Sequence, residues 1–363
     1  MTADGRPVLV VAGGGTGGHV LAGIAIADAW AAKHGTKPLF IGAVGGLETR
    51  LVPQAGYPLE LLSLGSLKGV DWGRRIKTLV QLPIALTVSL LILMRERPAA
   101  VVGVGGYASG PVVLVARLFG WLWGVKTAIL EQNAIPGFTN RILARLAHRI
   151  FTAFPGTLSR FPAGRVTVTG NPTRSSIQHS ARPPGNTFTV FIFGGSQGAV
   201  GINTLMIDSL AHLAHLRDRI HFIHQTGEQD FDRVANAYAK AGFRAKIEQF
   251  IVDMQSAYSQ SSLVVCRAGS STISELAAAG RAAVFIPFPF ASDNHQEANA
   301  RILVDAGAAL LLRQKEASGA DIAGIIRTLV DNPGRIAALE AAISLFHRPL
   351  AASTVVDLLT GDR

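Results

Sequence analysis

One histidine near the start of the chain, His19, has the side chain best suited to proton transfer. It closes the stretch VLVVAGGGTGGH at 8–19, in which apolar and small residues precede a run of glycines. This pattern predicts a buried strand, a tight turn and a helix that reaches about residue 32. An imidazole with a pKa of about 6.5 accepts a proton at neutral pH. His19 is therefore a candidate general base; the alternative is a histidine that caps its own helix.

The glycines before His19 are suited to phosphate binding. Gly13, Gly15 and Gly18 have the G-x-G-x-x-G spacing, in which backbone N–H groups and a helix N-terminus can approach an anion. A turn that needs glycine only for positive φ and close packing is the alternative. Similar turns recur at 101–111 (VVGVGGYASGP) and 190–199 (VFIFGGSQGA). Three such turns favour phosphate ligands.

Two glutamates follow predicted strands. Glu131, in LEQN, ends a strand and competes with His19 as the base. Glu275 lies about one turn inside the helix that begins after CRAG at 266–269, where its carboxylate can accept hydrogen bonds from both ribose hydroxyls. The hydroxyls of residues 270–272 precede it, and their alternative role is to cap that helix.

Further polar residues of the second half complete a predicted nucleotide site. The segment GGSQG at 194–198 offers backbone donors for a diphosphate. The segment DNHQE at 293–297 follows the strand AAVFIPFPF and begins a helix, so it lies at a strand's carboxyl end, where open α/β sheets bind ligands. Capping by Asp293 alone is the alternative.

Metal ligands are not predicted. Cys266 is the single cysteine, no His-x-x-x-His pair occurs, and Asp230 and Asp232 lie in the first turn of a predicted helix, where acids offset its positive end. Phosphate charge is therefore assigned to helix N-termini and to basic side chains such as Arg174.

Two series of alternating strands and helices position these residues. The alternation predicts an α/β fold of two Rossmann-like domains whose parallel sheets face a cleft. The predicted strands are 8–12, 38–41, 59–64, 100–104, 126–130, 149–153 and 166–168, then 189–193, 220–225, 246–250, 263–266, 283–287 and 309–312. The predicted domains are 1–170 and 171–348, joined by a linker at 170–186. Helices are predicted at 321–329 and 335–346, and the tail at 349–363, helical over 349–359, is expected to cross back to the first domain.

Composition limits the partners. The chain has 363 residues, a formal net charge of +10 and only 7% aromatic residues. The charge favours anionic partners, and because no basic segment is interleaved with aromatic residues, nucleic acid is not expected. The single Cys266 excludes an internal disulfide, and the opening MTADGRP lacks the apolar stretch of a signal peptide, so a cytoplasmic protein is expected.

The segment 68–97 is a candidate for membrane contact. Its uncharged run, 78–94, is interrupted by Pro83 and is slightly shorter than a spanning helix needs. A helix that lies in the interface of an anionic membrane is one interpretation, and a buried helix is the other. The basic residues on either side are Arg74, Arg75, Lys77, Arg95 and Arg97, and the residues 121–123 (WLW) can join the same patch.

A dinucleotide cofactor is disfavoured. About 20 residues after the first glycine turn, a dinucleotide site has an acid for the ribose, but this chain has Phe40-Ile41-Gly42 there. No cofactor is therefore predicted.

Taken together, seven segments resemble glycosyltransferase family 28, in the family's order and over nearly the whole chain. They are GGTGGHV, GVGGYASGP, EQNAIPGFTNR, GNPTR, GGSQGA, CRAGSSTISELAAAG and DNHQEANA. The chain departs from the family at Ala22, where relatives commonly have proline, which fixes φ in the first turn of a helix but supplies no functional group.

The resemblance implies the GT-B architecture and a reaction. That reaction is inverting transfer of N-acetylglucosamine from UDP-N-acetylglucosamine to the C4 hydroxyl of undecaprenyl-pyrophosphoryl-MurNAc-pentapeptide (lipid I), which gives lipid II for peptidoglycan synthesis. It implies a peripheral enzyme on the cytoplasmic face of the inner membrane. A UDP-N-acetylglucosamine 2-epimerase is the alternative with a similar two-domain fold.

The resemblance also implies roles for individual residues, with Glu275 on the ribose and the backbone of Ile251 on uracil. The implied donor contacts are Thr16, Gly17, Gly18, Asn133, Arg174, Ser196, Ile251, Ser270, Ser271, Thr272, Ile273, Ser274, Glu275 and Gln296. The acceptor's diphosphate is assigned to the first two glycine turns, at Gly14, Gly15, Gly105, Gly106 and Tyr107.

Overall fold

The computed structural model describes residues 5–64, 72–181 and 187–361, and for 72–80 the backbone alone. The chain divides into two compact units. The first comprises Met1–Arg174 and Arg348–Arg363, and the second comprises Ser175–His347.

The first unit is built on a parallel sheet whose strand order is β3-β2-β1-β4-β5-β6-β7. Its central strands are buried on both faces, as expected for apolar runs between helical layers. The strands are β1 Leu9–Gly13, β2 Leu39–Ala43, β3 Leu59–Leu62, β4 Ala100–Gly105, β5 Lys126–Glu131, β6 Arg149–Thr152 and β7 Val166–Val168.

Helices connect these strands and cover both faces of the sheet, in two separate apolar clusters. The helices are α1 Gly17–His34, α2 Glu48–Gln54, α3 Trp72–Glu96, α4 Ser109–Phe119 and α5 Phe138–Leu143, with 3-10 helices at Gly120–Trp123 and Pro155–Arg160.

The second unit repeats the design on a parallel sheet of order β10-β9-β8-β11-β12-β13. The strands are β8 Phe188–Phe193, β9 Ile220–Gln225, β10 Arg244–Glu248, β11 Leu263–Cys266, β12 Ala283–Phe285 and β13 Leu310–Leu311. The helices are α6 Val200–Ser209, α7 Phe231–Ala241, α8 Met254–Gln260, α9 Ser270–Ala279, α10 His295–Asp305, α11 Gly319–Asp331 and α12 Pro333–Ser344, with 3-10 helices at Ala211–Leu216 and Ser292–Asn294.

The last helix, α13 (Ala351–Thr360), belongs to the first unit. Its buried Val355, Val356 and Leu359 share an apolar cluster with β1 and α1. Lys33 of α1 also pairs with Asp357 across 2.6 Å. The end of the chain therefore stabilises the helix that begins with the first glycine turn.

Helix α3 runs through Pro83 without a break, so the predicted interruption there is wrong. Proline removes one backbone hydrogen bond, and packing of Ala85, Ile92 and Leu93 into the core holds the helix across that defect. Ile84 on the same helix is exposed. Lys68 and the side chains of Arg74, Arg75 and Lys77 lie outside the described residues. Within the described chain, no helix is both long enough and apolar enough to cross a membrane.

The predicted α/β class with two parallel sheets is confirmed. Strand ends differ by a few residues; for example, β10 begins and ends two residues before the predicted 246–250. The start of the predicted linker is packed rather than exposed, since Asn171 and Ile177 are buried. Its residues 182–186 lie outside the described part of the chain.

Candidate functional site

In each sheet the strand order reverses at one point, so that the chain adds strands first on one side and then on the other. This point lies between β1 and β4 in the first unit and between β8 and β11 in the second. In open α/β sheets, ligands bind outside the carboxyl ends of the strands at this switch point. The turns that follow these four strands carry the glycine motifs and CRAG. Topology therefore places one candidate ligand site in each unit.

The helices that follow these four strands begin without side-chain caps. Helices α1, α4, α6 and α9 have no side-chain hydrogen bond at the N-cap and no acid in the first turn. The other helices of the second unit differ: side chains of Asp253, Ser318 and Asn332 cap α8, α11 and α12, and α7 and α10 carry an acid in the first turn. An uncapped N-terminus presents unpaired N–H groups and about half a positive charge. These four turns are therefore suited to anions.

The two glycine turns of the first unit are in direct contact. The N–H of Gly14 donates to the carbonyl of Gly105 at 3.1 Å. A Cβ on Gly13 would lie 2.1 Å from the oxygen of Gly105, and a Cβ on Gly106 would lie 2.4 Å from the oxygen of Gly14. Only glycine permits this approach at these positions, so packing accounts for part of the motif.

His19 lies over this contact. Its Nδ1 is 3.1 Å from the carbonyl oxygen of Gly14, and because a carbonyl only accepts, Nδ1 carries the proton. In the neutral ring, Nε2 is then the unprotonated nitrogen. It lies beside Gly105, where an added Cβ would be only 2.7 Å from it. The ring thus contacts a backbone carbonyl, and the N-cap residue of α1 is Thr16 rather than His19.

Sequence reasoning missed Glu48, a fully buried acid at the start of α2. Its carboxylate accepts the N–H of Gly15 at 2.7 Å and that of Ala43 at 2.9 Å. The side chain also fills the space beside Gly14 and Gly46. An acid after a glycine turn at a strand's end, GGLE at 45–48, was the available signal.

Glu131, predicted as the competing base, is buried and hydrogen-bonded on both oxygens in this structure. It is only 2% exposed, and its two oxygens accept four hydrogen bonds. The donors are the backbone and side chain of Asn133, the N–H of Gly137 and the side chain of Asn140. A carboxylate offers about four acceptor positions, so Glu131 shapes the turn that carries Asn133.

In the second unit, the turn after β8 packs against the end of β9. A Cβ on Gly198 would lie 2.0 Å from the carbonyl oxygen of Thr226, and one on Gly227 would lie 2.2 Å from that of Gln197. Ser196, between these contacts, is exposed. The turn is thus held close to β9 while its tip remains open to a ligand.

Gln225, the last residue of β9, joins two predicted contacts and was also missed. Its amide donates to the carbonyl of Gly195 at 2.8 Å and accepts the N–H of Ile251 at 2.9 Å. The side chain is only 3% exposed. Polar residues at a strand's carboxyl end, HQTG at 224–227, were the signal. Gln225 therefore sets the spacing between the turn after β8 and Ile251.

Beneath Gln225 lies a buried polar network. His224 is bracketed by the Tyr238 hydroxyl at 3.2 Å and the Asn203 amide at 3.0 Å. Burial lowers the pKa of His224 to about 3, so its ring is neutral. Asn203 also donates to Asp230, which precedes α7 and pairs with Arg233. This agrees with the predicted structural role of Asp230.

Helix α9 begins at Ser270 with Gly269 at the N-cap and no side-chain cap, so the alternative that hydroxyls of 270–272 cap it is wrong. Glu275 is only 6% exposed, and its carboxylate accepts the hydroxyl of Tyr258 at 3.1 Å.

The DNHQE segment forms a turn rather than an immediate helix. Asp293 and Asn294 both have positive φ, 54° and 53°, and α10 starts at His295 with Asn294 at the N-cap. Capping by Asp293 is therefore wrong. Gln296 accepts the N–H of Phe288 at 2.9 Å, and Asn299 donates to the carbonyl of Ala268 at 3.2 Å. The second of these bonds ties α10 to the turn before α9.

The remaining predicted residues belong to the two sites as follows. Thr16 and Tyr107 are exposed, and Gly17, Gly18 and Arg174 are half-buried, all in the first unit. Ser270, Ile273 and Ile251 are buried and Ser271, Thr272 and Ser274 half-buried in the second. In the part of the chain that the structure describes, no group of three or more His, Cys, Asp or Glu side chains is placed to hold a metal ion.

Two family models match the chain. The glycosyltransferase family 28 N-terminal domain matches residues 9–152, and the family's C-terminal domain matches residues 189–355. Together they span both units and both candidate sites.

Similar proteins agree with this. A Myxococcus xanthus UDP-N-acetylglucosamine–N-acetylmuramyl-(pentapeptide) pyrophosphoryl-undecaprenol N-acetylglucosamine transferase is 46% identical over 354 residues, 96% of this chain and 91% of that protein. The crystal structure of Acinetobacter baumannii MurG is 32% identical with a TM-score of 0.77, and the match covers 98% and 99% of the two chains.

A Listeria monocytogenes structure titled as a putative UDP-N-acetylglucosamine 2-epimerase has a TM-score of 0.70 at 11% identity, covering 98% of this chain and 96% of that chain. At that identity the likeness concerns the fold alone.

Proposed function

This chain belongs to glycosyltransferase family 28, and from that membership we propose that it transfers N-acetylglucosamine from UDP-N-acetylglucosamine to N-acetylmuramyl-(pentapeptide) pyrophosphoryl-undecaprenol. The observation that carries the proposal is the Myxococcus transferase of that name, which is 46% identical over 96% of the chain. The product is the disaccharide lipid used in peptidoglycan synthesis.

The second unit holds the donor. The uncapped N-termini of α6 and α9 face the diphosphate and stabilise the charge of departing UDP, each by about 0.3 to 2 kcal/mol per anion. Because the N–H of Ile251 already donates to Gln225, its carbonyl is the group that accepts the N3–H of uracil. Glu275 binds the ribose hydroxyls. Gln296 adds a further donor contact from this unit.

The first unit holds the acceptor. The N–H groups of Gly14 and Gly15 already donate within the protein, so these glycines act by shaping the turn. The diphosphate then lies against the open N-termini of α1 and α4, where Gly17, Gly18 and the residues after Tyr107 present N–H groups.

His19 removes the proton of the attacking hydroxyl. The C4 oxygen of the acceptor forms a bond to the anomeric carbon as the bond from that carbon to the UDP oxygen breaks. The hydroxyl proton passes to Nε2, the nitrogen left unprotonated by the bond from Nδ1 to Gly14. Attack opposite the leaving group inverts the centre and gives a β-1,4 linkage.

The acceptor's lipid tail requires a membrane surface, and we assign it to α3, α4 and the 3-10 helix after α4. Large apolar side chains are exposed on these packed elements. They are Ile84, Leu91, Met94, Leu118, Phe119, Trp121 and Leu122. Trp123 instead packs against the core. Arg95 and Arg97 lie at the end of α3, so a peripheral enzyme on the anionic inner leaflet is the location that fits.

An acceptor assay tests the function. Purified protein is given UDP-N-acetylglucosamine with and without lipid-linked muramoyl pentapeptide, and UDP and disaccharide lipid are measured. Acceptor-dependent release of both is expected. An epimerase would convert the sugar nucleotide without acceptor, a non-catalytic binder would bind UDP without turnover, and either outcome would replace this proposal. NAD(P)H binding would point to an oxidoreductase.

A variant tests the base. His19→Ala should lower kcat by about 100-fold or more, since general bases contribute about 10²- to 10⁴-fold, while UDP binding persists. Unchanged kcat would move the proton transfer to another group.

A further inference from the structure

The peptide group between Gly14 and Gly15 is hydrogen-bonded at both ends by side chains. Its N–H donates to Oε2 of Glu48 at 2.7 Å, and its carbonyl oxygen accepts from Nδ1 of His19 at 3.1 Å. A single rigid, planar unit therefore lies between a carboxylate and an imidazole.

We propose that Glu48 is a positioning residue that acts on His19 through this peptide, in a carboxylate–peptide–imidazole relay. The proposal rests on the proposed function, in which His19 is the base. It assigns to Glu48 the task that a directly bonded carboxylate performs in other acid–base sites: to fix the imidazole's tautomer and orientation and to stabilise its charged form.

The surroundings of Glu48 hold its side chain in place. The side chain is 0% exposed, and its other oxygen accepts the N–H of Ala43 at 2.9 Å. Sites for a Cβ on Gly14, Gly42 and Gly46 all fall within 2.5 Å of Glu48 atoms. Glycine at these positions makes room for the carboxylate, which cannot move without breaking both bonds.

Polarisation through the peptide gives the relay its effect. In the low dielectric of the interior, hydrogen bonds in a chain strengthen one another, so the carboxylate draws the N–H and makes the carbonyl oxygen of Gly14 a stronger acceptor. That oxygen holds the proton on Nδ1, which leaves Nε2 as the unprotonated nitrogen of the neutral ring. When Nε2 takes the proton of the acceptor hydroxyl, the carbonyl oxygen of Gly14 stabilises the imidazolium, and no proton crosses the peptide.

A double-mutant cycle separates this relay from simple loop support. Glu48→Gln removes the charge in either orientation of the amide, and Glu60→Gln, at a half-exposed glutamate of the same unit, is the matched control. In the wild-type background, Glu48→Gln should lower kcat about 10- to 100-fold, which is less than the loss of the base itself. The KM for UDP-N-acetylglucosamine should change less than about twofold.

In the His19→Ala background, Glu48→Gln should change the residual kcat by less than about twofold, because residues that act as one unit are not additive. Glu60→Gln should match the wild type in both backgrounds. If Glu48→Gln lowers kcat equally in both backgrounds, the relay is overturned and Glu48 only supports the loop.

Nitrogen-15 NMR of labelled histidines tests the relay even where Glu48→Gln does not fold. In the neutral form of wild-type protein, the His19 signals, assigned by their absence in His19→Ala, should show the proton on Nδ1. A proton on Nε2 would overturn the relay. Wild-type protein without acceptor-dependent UDP release would instead overturn the proposed function, and the NMR result would still decide whether the geometry holds.

Discussion

Gly106 is the position where one added methyl group should disable the first unit's site. Its φ is +83°, and a Cβ there would lie 2.4 Å from the carbonyl oxygen of Gly14. That oxygen is the one that accepts from His19 Nδ1. The methyl group of Gly106→Ala would therefore displace the carbonyl oxygen of Gly14, the hydrogen-bond partner of His19.

The size of the effect follows from two terms. An L-residue in left-handed backbone costs about 1–2 kcal/mol, and this term also applies to Gly164, which has φ +81° with nothing within 4 Å of its Cβ position. Only Gly106→Ala has the second term as well: relief of the overlap needs a shift of about 1 Å, and a misplacement of that size can cost about 100-fold in rate. The expected loss in kcat/KM is thus about 2.7 kcal/mol of transition-state stabilisation.

The assay compares Gly106→Ala with Gly164→Ala. Gly164→Ala should lose about 1–2 kcal/mol of unfolding free energy in urea, and Gly106→Ala should lose at least as much because of the added overlap. Both should bind UDP as the wild type does in calorimetry. Acceptor-dependent UDP release should fall about 100-fold in Gly106→Ala only. If the two variants transfer sugar at rates within threefold of each other, contact between the glycine turns does not position His19.

Three further outcomes are expected. Gln225→Leu removes two hydrogen bonds worth about 0.5–1.5 kcal/mol each, so calorimetry should show UDP affinity lower by about 5- to 150-fold, and unchanged affinity would refute the bridging role. Leu359→Ala should lower the unfolding free energy of the first unit by about 2–5 kcal/mol, measured through the fluorescence of buried Trp30. Asp357→Asn breaks only a surface ion pair and should lower that free energy by less than about 1 kcal/mol. Burial lowers the pKa of His224 to about 3, so between this value and the ordinary 6.5 only the unfolded state takes up a proton on His224. The contribution of His224 to the unfolding free energy is therefore complete above pH 6.5 and falls as the pH drops toward 3, by about 2 kcal/mol at pH 5. Urea titrations at pH 7 and pH 5 should show that His224→Gln lacks this loss.

Local patterns predicted the elements well because their signals are local. Apolar runs of four to six residues before a glycine turn marked the strand ends of β1, β4 and β8, and the structure has strands there. Parallel strands placed the following turns at one edge of each sheet. The positions of His19 and Ser196 at those turns followed directly from this topology.

The roles of the acids could not be predicted, because they depend on contacts between distant segments. Glu131 ends a strand as a ligand-binding acid would, yet Asn133, Gly137 and Asn140 use all its acceptor positions. Glu48 follows the glycine turn after β2, and that position does not indicate that its carboxylate reaches Gly15, 33 residues earlier. Sequence spacing indicates on which element and near which strand end a side chain lies, but its hydrogen-bond partners depend on the tertiary packing.

The glycines of the first turn differ in whether packing requires them. Gly13 and Gly14 have no room for a Cβ, since the nearest atoms lie within 2.2 Å, so packing alone requires glycine there. Gly17 differs, because a Cβ there would meet only Leu47 at an ordinary 3.7 Å. Its side of the turn is the uncapped N-terminus of α1, where the absence of a side chain lets an anion approach the backbone. Packing therefore accounts for the first glycines, which shape the turn around Glu48 and His19, and phosphate binding stays a prediction for the side of the turn that Gly17 leaves open.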